Sequence, residues 1–505
     1  MAERPFIYRF TKDLRLDDHA GLAVAASRGA VIPLLLVDGA TTTRLRISPR
    51  RAAFFCAAAG ALDRELRERG SRLIVRRGEA ESILIRIARA TGAAGAAWSV
   101  SYDFAAMERD QRVRSELEEN SLEALLVHDA PVIAPQASAA ARSGDGPGYR
   151  AFAPYFEVWW ELPIASHEYP LLLRFAACDV ESEPLPAPGE FGAATAESCA
   201  GPSVARRRFE EFLRYDAAQY AMAAAFPSDD RTSHLSAHLS FGTLSARAVA
   251  RAVRQRLTDA FALSEQRLSL RLFLRALARR DFFLQLSWFH PRTHEEPLQE
   301  KMRGFRWEQT HPVLDAWRAA ETGYPLVDAG IRQLHATGWM HPHVRAIAAS
   351  WLCFDLGVDW RVGREEWDRW LIEDDYAIAT GNWQWIAGVG ADMAQYPRIY
   401  NPGASTAPLR SARSLREALD QRVGASAARG MVRPAVAVAA ADALAPRRER
   451  LSKTGRRSRR RRSSLLAALP RFCRYWSETS VGKRSSSQLL TTGTLTSSPF
   501  QVLMP

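Results

Sequence analysis

Cysteine is scarce: five residues in 505 (Cys56, Cys178, Cys199, Cys353, Cys473), widely separated and without a CxxC pair. That spacing indicates neither a disulfide framework nor a cysteine zinc site, and it suits a reducing compartment. Long apolar runs are missing as well. The longest, such as the eight residues Ala30–Val37, cannot span a bilayer, and the start MAERPFIYRF lacks a signal-peptide pattern. A cytoplasmic protein without a membrane segment is expected. The first strand-like segment is followed by TKDLRLDDHAGL with no GxGxxG, so the dinucleotide fingerprint is absent where a Rossmann sheet would carry it. HPRTH (His290–His294) has histidines at i,i+4, but Pro291 lies between them and no carboxylate stands at HExxH spacing, so no metal site is indicated.

What is present is a chain 47% hydrophobic and 25% charged, long enough for two or three domains with sizeable cores. The net charge of +12 and pI near 9.8 invite a reading as a nucleic-acid binder. The charge is not evenly spread. Ala404–Pro505 holds 20 of the 68 basic and 5 of the 56 acidic residues, which leaves 48 basic and 51 acidic in Met1–Gly403. The excess therefore sits in the tail, and nucleic-acid binding by the body must come from a local basic rim.

Residues 1–130 alternate short apolar runs with helical patterns. Strands are predicted at Pro5–Phe10, Ala30–Val37, Arg72–Arg76, Ala96–Val100 and Ala124–His128, with a helix over Pro49–Gly70. This alternation predicts a Rossmann-like parallel α/β sheet. Residues 131–203 are rich in Pro, Ala, Ser and Gly and read as a linker with one docked helical segment, YRAFAPYFEVWWEL. Residues 204–402 have long helical patterns and no strand signals, predicting an all-α domain. Ten of the fourteen tryptophans fall between Trp288 and Trp385. They form either a tryptophan-rich core or the wall around something large, flat and aromatic. Residues 403–505 are basic and of low complexity, and disorder is expected there.

TSHLSAHLSFGTLSARAV (Thr232–Val249) sets hydroxyls just before a helical stretch, a pattern suited to anions. It is followed in order by TGYPLVDAGIRQLHATGWMHPHVRAIAASWL, DWRVGREEWDRWLIEDDYAIATGNWQW and YPRIYNP. With the opening YRFTKDLRLDDHAGL, these blocks resemble the cryptochrome/DNA photolyase family over residues 5–402. The resemblance implies an α/β antenna domain, a helical domain holding FAD, and activity driven by blue light. It implies that Tyr220 and the run Thr232, Ser233, His234, Leu235 and Ser236 hold the flavin diphosphate and its surroundings. Arg345, Glu373 and Asp375 are expected along the isoalloxazine and ribitol, with Glu373 where the family usually has Asp. Trp383, Trp360 and Trp307 match the family's electron-transfer chain. Trp385, Arg398 and Arg280 match positions that contact damaged DNA.

Several positions depart from the repair enzymes. Ala276 replaces a Glu that hydrogen-bonds the dimer, Arg279 replaces a Trp that packs on it, and Pro342 and Ala346 stand where catalytic polar residues occur. Ala379 occupies the position facing flavin N5, where it can deliver no proton. Ala105 and Ala106 replace the Asn-Glu pair that grips a folate antenna, so the antenna reading stays open between a folate, a deazaflavin, a flavin or none. His341 and His343, as i,i+2 neighbours, do not share a helix face. The family block expected after Asn401-Pro402 gives way to GASTAPLRSARSLREAL, which suggests a shift of reading frame near Gly403. Two functions follow: light-driven repair of pyrimidine photoproducts in DNA, or a cryptochrome-like light sensor with a signalling partner.

Overall fold

The computed structural model describes residues 4–142, 146–167, 173–194, 200–228, 231–258, 264–309, 311–392, 399–400 and 402. The expectations for the tail and for Arg398 fall outside these described residues. Five strands form one parallel sheet: β1 (Phe6–Phe10), β2 (Val31–Val37), β3 (Ile74–Arg77), β4 (Gly95–Ser99) and β5 (Glu123–Val127). Each lies within two residues of its predicted position. Their order is β3-β2-β1-β4-β5, a doubly wound sheet with β1 at the centre. Ile7 pairs with Ile32 on one side and Ala96 on the other, so FIYRF is buried throughout.

The covering helices are α1 (Ala20–Ala26), α2 (Gly39–Ile47), α3 (Pro49–Glu68), α4 (Ala80–Thr91) and α5 (Phe104–Glu119). The start of α3 has Ser48 accepting from the Arg51 N–H and Pro49 in the first turn; beyond its end, Gly70 adopts φ +73°. Next come α6 (Pro135–Ala140) and α7 (Phe152–Glu161), then α8 (Pro202–Glu211), α9 (Tyr220–Ala225), α10 (Ser236–Ser240), α11 (Ala246–Thr258) and α12 (Ser264–Phe289). The helical part closes with α13 (Leu314–Arg318), α14 (Pro325–Thr337), α15 (Pro342–Ser350), α16 (Trp360–Asp368) and α17 (Tyr376–Ile386). Helix α12 runs through its centre. One apolar cluster joins Phe152, Tyr155 and Trp159 of α7 to Phe282, Trp351, Trp360, Trp367 and Trp383. The aromatic block inside the sequence-level linker therefore belongs to the helical core. No described helix is long and apolar enough to cross a membrane.

Buried ions and close backbone contact join the two parts. Asp129 receives Arg15 Nη2 and Arg247 Nη2, both at 2.7 Å. Leu14 N–H donates to the Phe241 carbonyl at 3.0 Å. At Gly242 (φ +60°) a Cβ would stand 2.4 Å from the Lys12 carbonyl, so this close approach requires glycine.

Candidate functional site

A deep cavity opens between α9, α10, α12, α15, α16 and α17, with about 1280 Å³ of empty space, part of it open to solvent. Its lining includes Tyr220, Thr232, Ser233, His234, Leu235, Ser236, Arg280, Arg345, Glu373, Asp375 and Trp383. Residues from five separate stretches of sequence are thus brought to one place. The approach to α10 is built around His234, which adopts φ +52° and stacks on Trp339 with ring centroids 4.0 Å apart. A positive φ at a non-glycine residue is costly, and the stacked ring helps fix it.

Arg345 Nη1 lies 2.6 Å from Glu373 Oε1, with both side chains about one-tenth exposed. The approach is off-axis: both buried Glu373 oxygens lack a hydrogen-bond donor. Arg345 Nε is committed to the Met340 carbonyl at 2.8 Å. An acceptor pair of this kind inside an aromatic cavity fits a planar ligand with its own N–H group. Burial raises the Asp375 carboxyl above the ordinary range, only partly offset by Arg280 and Lys12.

The loop carrying Glu373 and Asp375 is pegged to the α/β part through Asp374. Lys12 Nζ is 2.8 Å from Asp374 Oδ2, and Arg44 Nε donates to Oδ1 at 2.9 Å. Arg51, fully buried, donates to the Glu373 carbonyl at 3.0 Å and to Asp368 Oδ1 at 2.7 Å. The Asp374 N–H reaches Ser240 Oγ at 2.8 Å. Burial alone would raise the Asp374 pKa; Lys12, Arg51 and Arg44 outweigh it and hold the carboxyl well below the usual range.

The three tryptophans differ in exposure. Trp383 lines the cavity, Trp360 is fully buried, and Trp307 is half-buried against Phe305 at 4.7 Å. Backbone bonds from Glu308 N to Gly357 O and from Asp359 N to Glu308 O tie the Trp307 segment to the start of α16. Trp385 does not line the cavity; it is buried, with the Arg279 guanidinium 5.4 Å from its ring centroid. Arg280, matched in sequence to a position that contacts damaged DNA, lines the cavity. It is 3% exposed and donates to the Ala130 carbonyl at 2.8 Å and the Leu239 carbonyl at 3.2 Å. Its charge faces the cavity, not outer solvent, because α12 turns that position inward.

Ala276, Pro342 and Ala379 all line the same cavity. His341 caps α15, accepting from the His343 N–H at 3.2 Å, and neither histidine lines the cavity. Sequence reasoning missed Arg364, Trp367, Tyr376 and Asn382, all of which do. Trp367 packs on Trp383 with centroids 4.5 Å apart, and Asn382 Nδ2 donates to the Ile378 carbonyl at 3.0 Å. The helical spacing of Ala379 and Asn382 was the available signal for the latter.

Comparison with known proteins agrees with this geometry. Residues 6–171 match the family model for DNA photolyase, and residues 273–408 match that for the FAD binding domain of DNA photolyase. The chain is 33% identical over 408 residues to the deoxyribodipyrimidine photo-lyase of Halobacterium salinarum, covering 77% of this chain and 84% of that one. Its fold is similar to a bacterial class III photolyase from Agrobacterium tumefaciens (TM-score 0.74, 26% identity, 93% of this chain and 98% of that chain). It is also similar to an archaeal photolyase from Sulfolobus tokodaii with two FAD molecules (TM-score 0.69, 27% identity, 82% and 89% covered). Sheet, helical cavity and sequence together place the chain in the cryptochrome/DNA photolyase family, with an FAD-binding domain in its helical half.

Proposed function

We propose that the chain is a photolyase-type enzyme that uses blue light and FAD to split a pyrimidine photoproduct flipped out of DNA into the cavity. The observation that carries this is the cavity itself: aromatic walls, three lining guanidiniums (Arg280, Arg345, Arg364) and the donor-poor Glu373 carboxylate, in a chain with both family domains. FAD, when bound, supplies the light absorption and the electron. Thr232, Ser233 and Ser236 offer hydroxyls to a diphosphate, with Tyr220, His234 and Leu235 completing that wall. Arg345, Glu373 and Asp375 bind and orient the ring end. Trp383 is placed to surrender an electron, Trp360 to pass the hole outward, and Trp307 to meet a reductant in solution. Trp385 and Arg398 are assigned to the DNA side on the family resemblance alone, since Trp385 is buried outside the cavity lining and Arg398 lies outside the described residues. Operation in the cytoplasm belongs to this reading; the antenna chromophore stays open.

A second reading, a cryptochrome-like sensor acting through a signalling partner, is favoured by one specific observation. Ala276, Pro342 and Ala379, three residues without a side-chain hydrogen-bonding group, all line the cavity. Light-dependent loss of thymine dimers from an oligonucleotide separates the two. Repair supports the enzyme; flavin photoreduction without any loss of dimers supports the sensor.

A further inference from the structure

The body of the chain carries slightly more acidic than basic residues, so attraction for a polyanion must come from a local concentration of cations. Helix α12 supplies one. Arg267, Arg271, Arg275 and Arg279 recur every fourth residue, which lines them along one side of the helix. Arg267 and Arg271 are exposed, Arg275 is half-buried and Arg279 is buried, so the row descends from the surface towards Trp385. Three of these guanidiniums rest on the aromatic face of α7. Arg271 lies over Trp160 at 5.0 Å, Arg275 over Phe152 and Phe156 at 5.0 and 5.2 Å, and Arg279 over Phe152 at 4.1 Å.

Stacking fixes a guanidinium plane while its N–H edge stays available for bidentate bonds to phosphate. Among the described residues, no carboxylate forms an ion pair with Arg267, Arg271 or Arg275, although Glu157 and Glu161 lie on the facing helix. Only Arg279 has an acidic neighbour, Asp392 at 3.8 Å, which also accepts from the Phe152 N–H at 2.6 Å. Arg254, which also lies over Trp160 at 5.6 Å, is by contrast committed to the carbonyls of Trp159, Trp160 and Leu162 at 3.0–3.1 Å.

We propose that Arg267, Arg271 and Arg275 form a phosphate track that binds the DNA backbone beside the cavity, leading the strand towards the stretch of α12 at Ala276 and Arg280 that lines it. The choice of DNA as the polyanion rests on the photolyase reading.

The test is the affinity of the full-length, flavin-loaded protein for a short duplex between about 50 and 200 mM salt. The double variant Arg271→Gln/Arg275→Gln is expected to lower the slope of log affinity against log salt by about 1.8, or roughly 0.9 per phosphate contact, on damaged and undamaged duplex alike. The basic tail is common to both proteins and cancels in the difference. Arg271→Lys/Arg275→Lys retains the charges and is expected to keep the slope. An unchanged slope in the Gln variant, with flavin content and melting temperature lowered equally by Gln and Lys, overturns the track in favour of packing alone. Should the double Gln variant lose its flavin, the single change at exposed Arg271 decides, with a slope drop of about 0.9 expected. A wild-type protein that does not prefer damaged duplex, yet shows the slope difference, refutes the photolyase reading and leaves the track standing.

Discussion

The two sides of the cavity are built on different principles. On the side proposed to hold the flavin ring, buried charges have matched partners: Arg345 with Glu373, and Asp374 with the part-exposed Lys12 and Arg44. On the side proposed to meet the substrate, the acid and indole that the family resemblance leads one to expect are Ala276, which lines the cavity, and Arg279, which packs beside it, and the lining at Pro342 is short and neutral. A buried charge that loses its partner is punished heavily, so the holding side tolerates little change. A cavity wall that meets its partner only during binding is free to drift. On the proposed assignment, the holding side is what this chain shares with the family, and the substrate side is where it departs from it.

Breaking the holding side gives the largest expected effect. Arg345→Met strands the Glu373 carboxylate in an aromatic cavity, at a cost of about 3–5 kcal/mol. Purified variant is expected to have a lower melting temperature and little or no bound flavin. Full flavin occupancy in that variant would remove the Arg345–Glu373 pair from the holding role. The substrate side responds less. Ala276→Glu with Arg279→Trp restores the residues of the repair enzymes, and a charged hydrogen bond contributes about 1.5–3 kcal/mol. Preference for dimer-containing over undamaged duplex is then expected to rise by at least about tenfold. An unchanged ratio in a binding titration would mean that this wall does not read the lesion.

Trp383 stands between the two sides, and its replacement by Phe is expected to slow light-driven flavin reduction by at least tenfold, equivalent to about 1.4 kcal/mol in barrier. Absorbance decay under blue light in the presence of a thiol measures it. A rate equal to wild type would move the electron source elsewhere, and Trp367, packed on Trp383, shows why the nearest indole alone does not define the route.

Much of the holding side was legible because it lies in continuous blocks. Glu373, Asp375 and Trp383 fall within eleven residues of one another, and β1 to β5 declare themselves by apolar runs bounded by turns. What stayed hidden depends on distant chain segments. Lys12, Arg44 and Arg51 meet Asp374 and Asp368 across more than 300 residues of sequence, and nothing local to any of them signals the pairing. Arg280 matches a DNA-contacting position through the family's motif, and nothing in the sequence of α12 shows that it is buried. Its carbonyl partners, Ala130 and Leu239, come from the interdomain segment and α10, so their arrival could not be read from α12. Arg279 was read as a loss of indole; only its packing on Phe152 shows that it is also a gain of charge beside the cavity.

Two buried aspartates show the same contrast, Asp374 in the loop beside Glu373 and Asp281 beside Arg280 on α12. Asp374, on the holding side, is ionised and clamped. Its depressed pKa makes it a source of stability above the unfolded carboxylate range, lost as pH falls through the folded value. Asp281, next to Arg280, is the opposite case. Its Oδ2 accepts from Val132 N, Ile133 N and Trp159 Nε1 at 2.9–3.0 Å, while Oδ1 is buried without a hydrogen-bond partner. Burial, incompletely offset by Arg280, pushes its pKa up to about 6. The folded state thus favours the protonated form, and that contribution is full below the unfolded value near 4 and lost as pH rises through 6. Asn at this position can offer one oxygen to the same three donors and never carries the charge. Asp281→Asn is therefore expected to leave melting unchanged near pH 4 and to raise stability at pH 7 by up to about 3 kcal/mol, at about 1.4 kcal/mol per pKa unit. Thermal unfolding of both proteins across that range measures it. Curves that stay parallel would show that the Asp281 charge is already satisfied, and that Asp281 is clamped in the same way as Asp374.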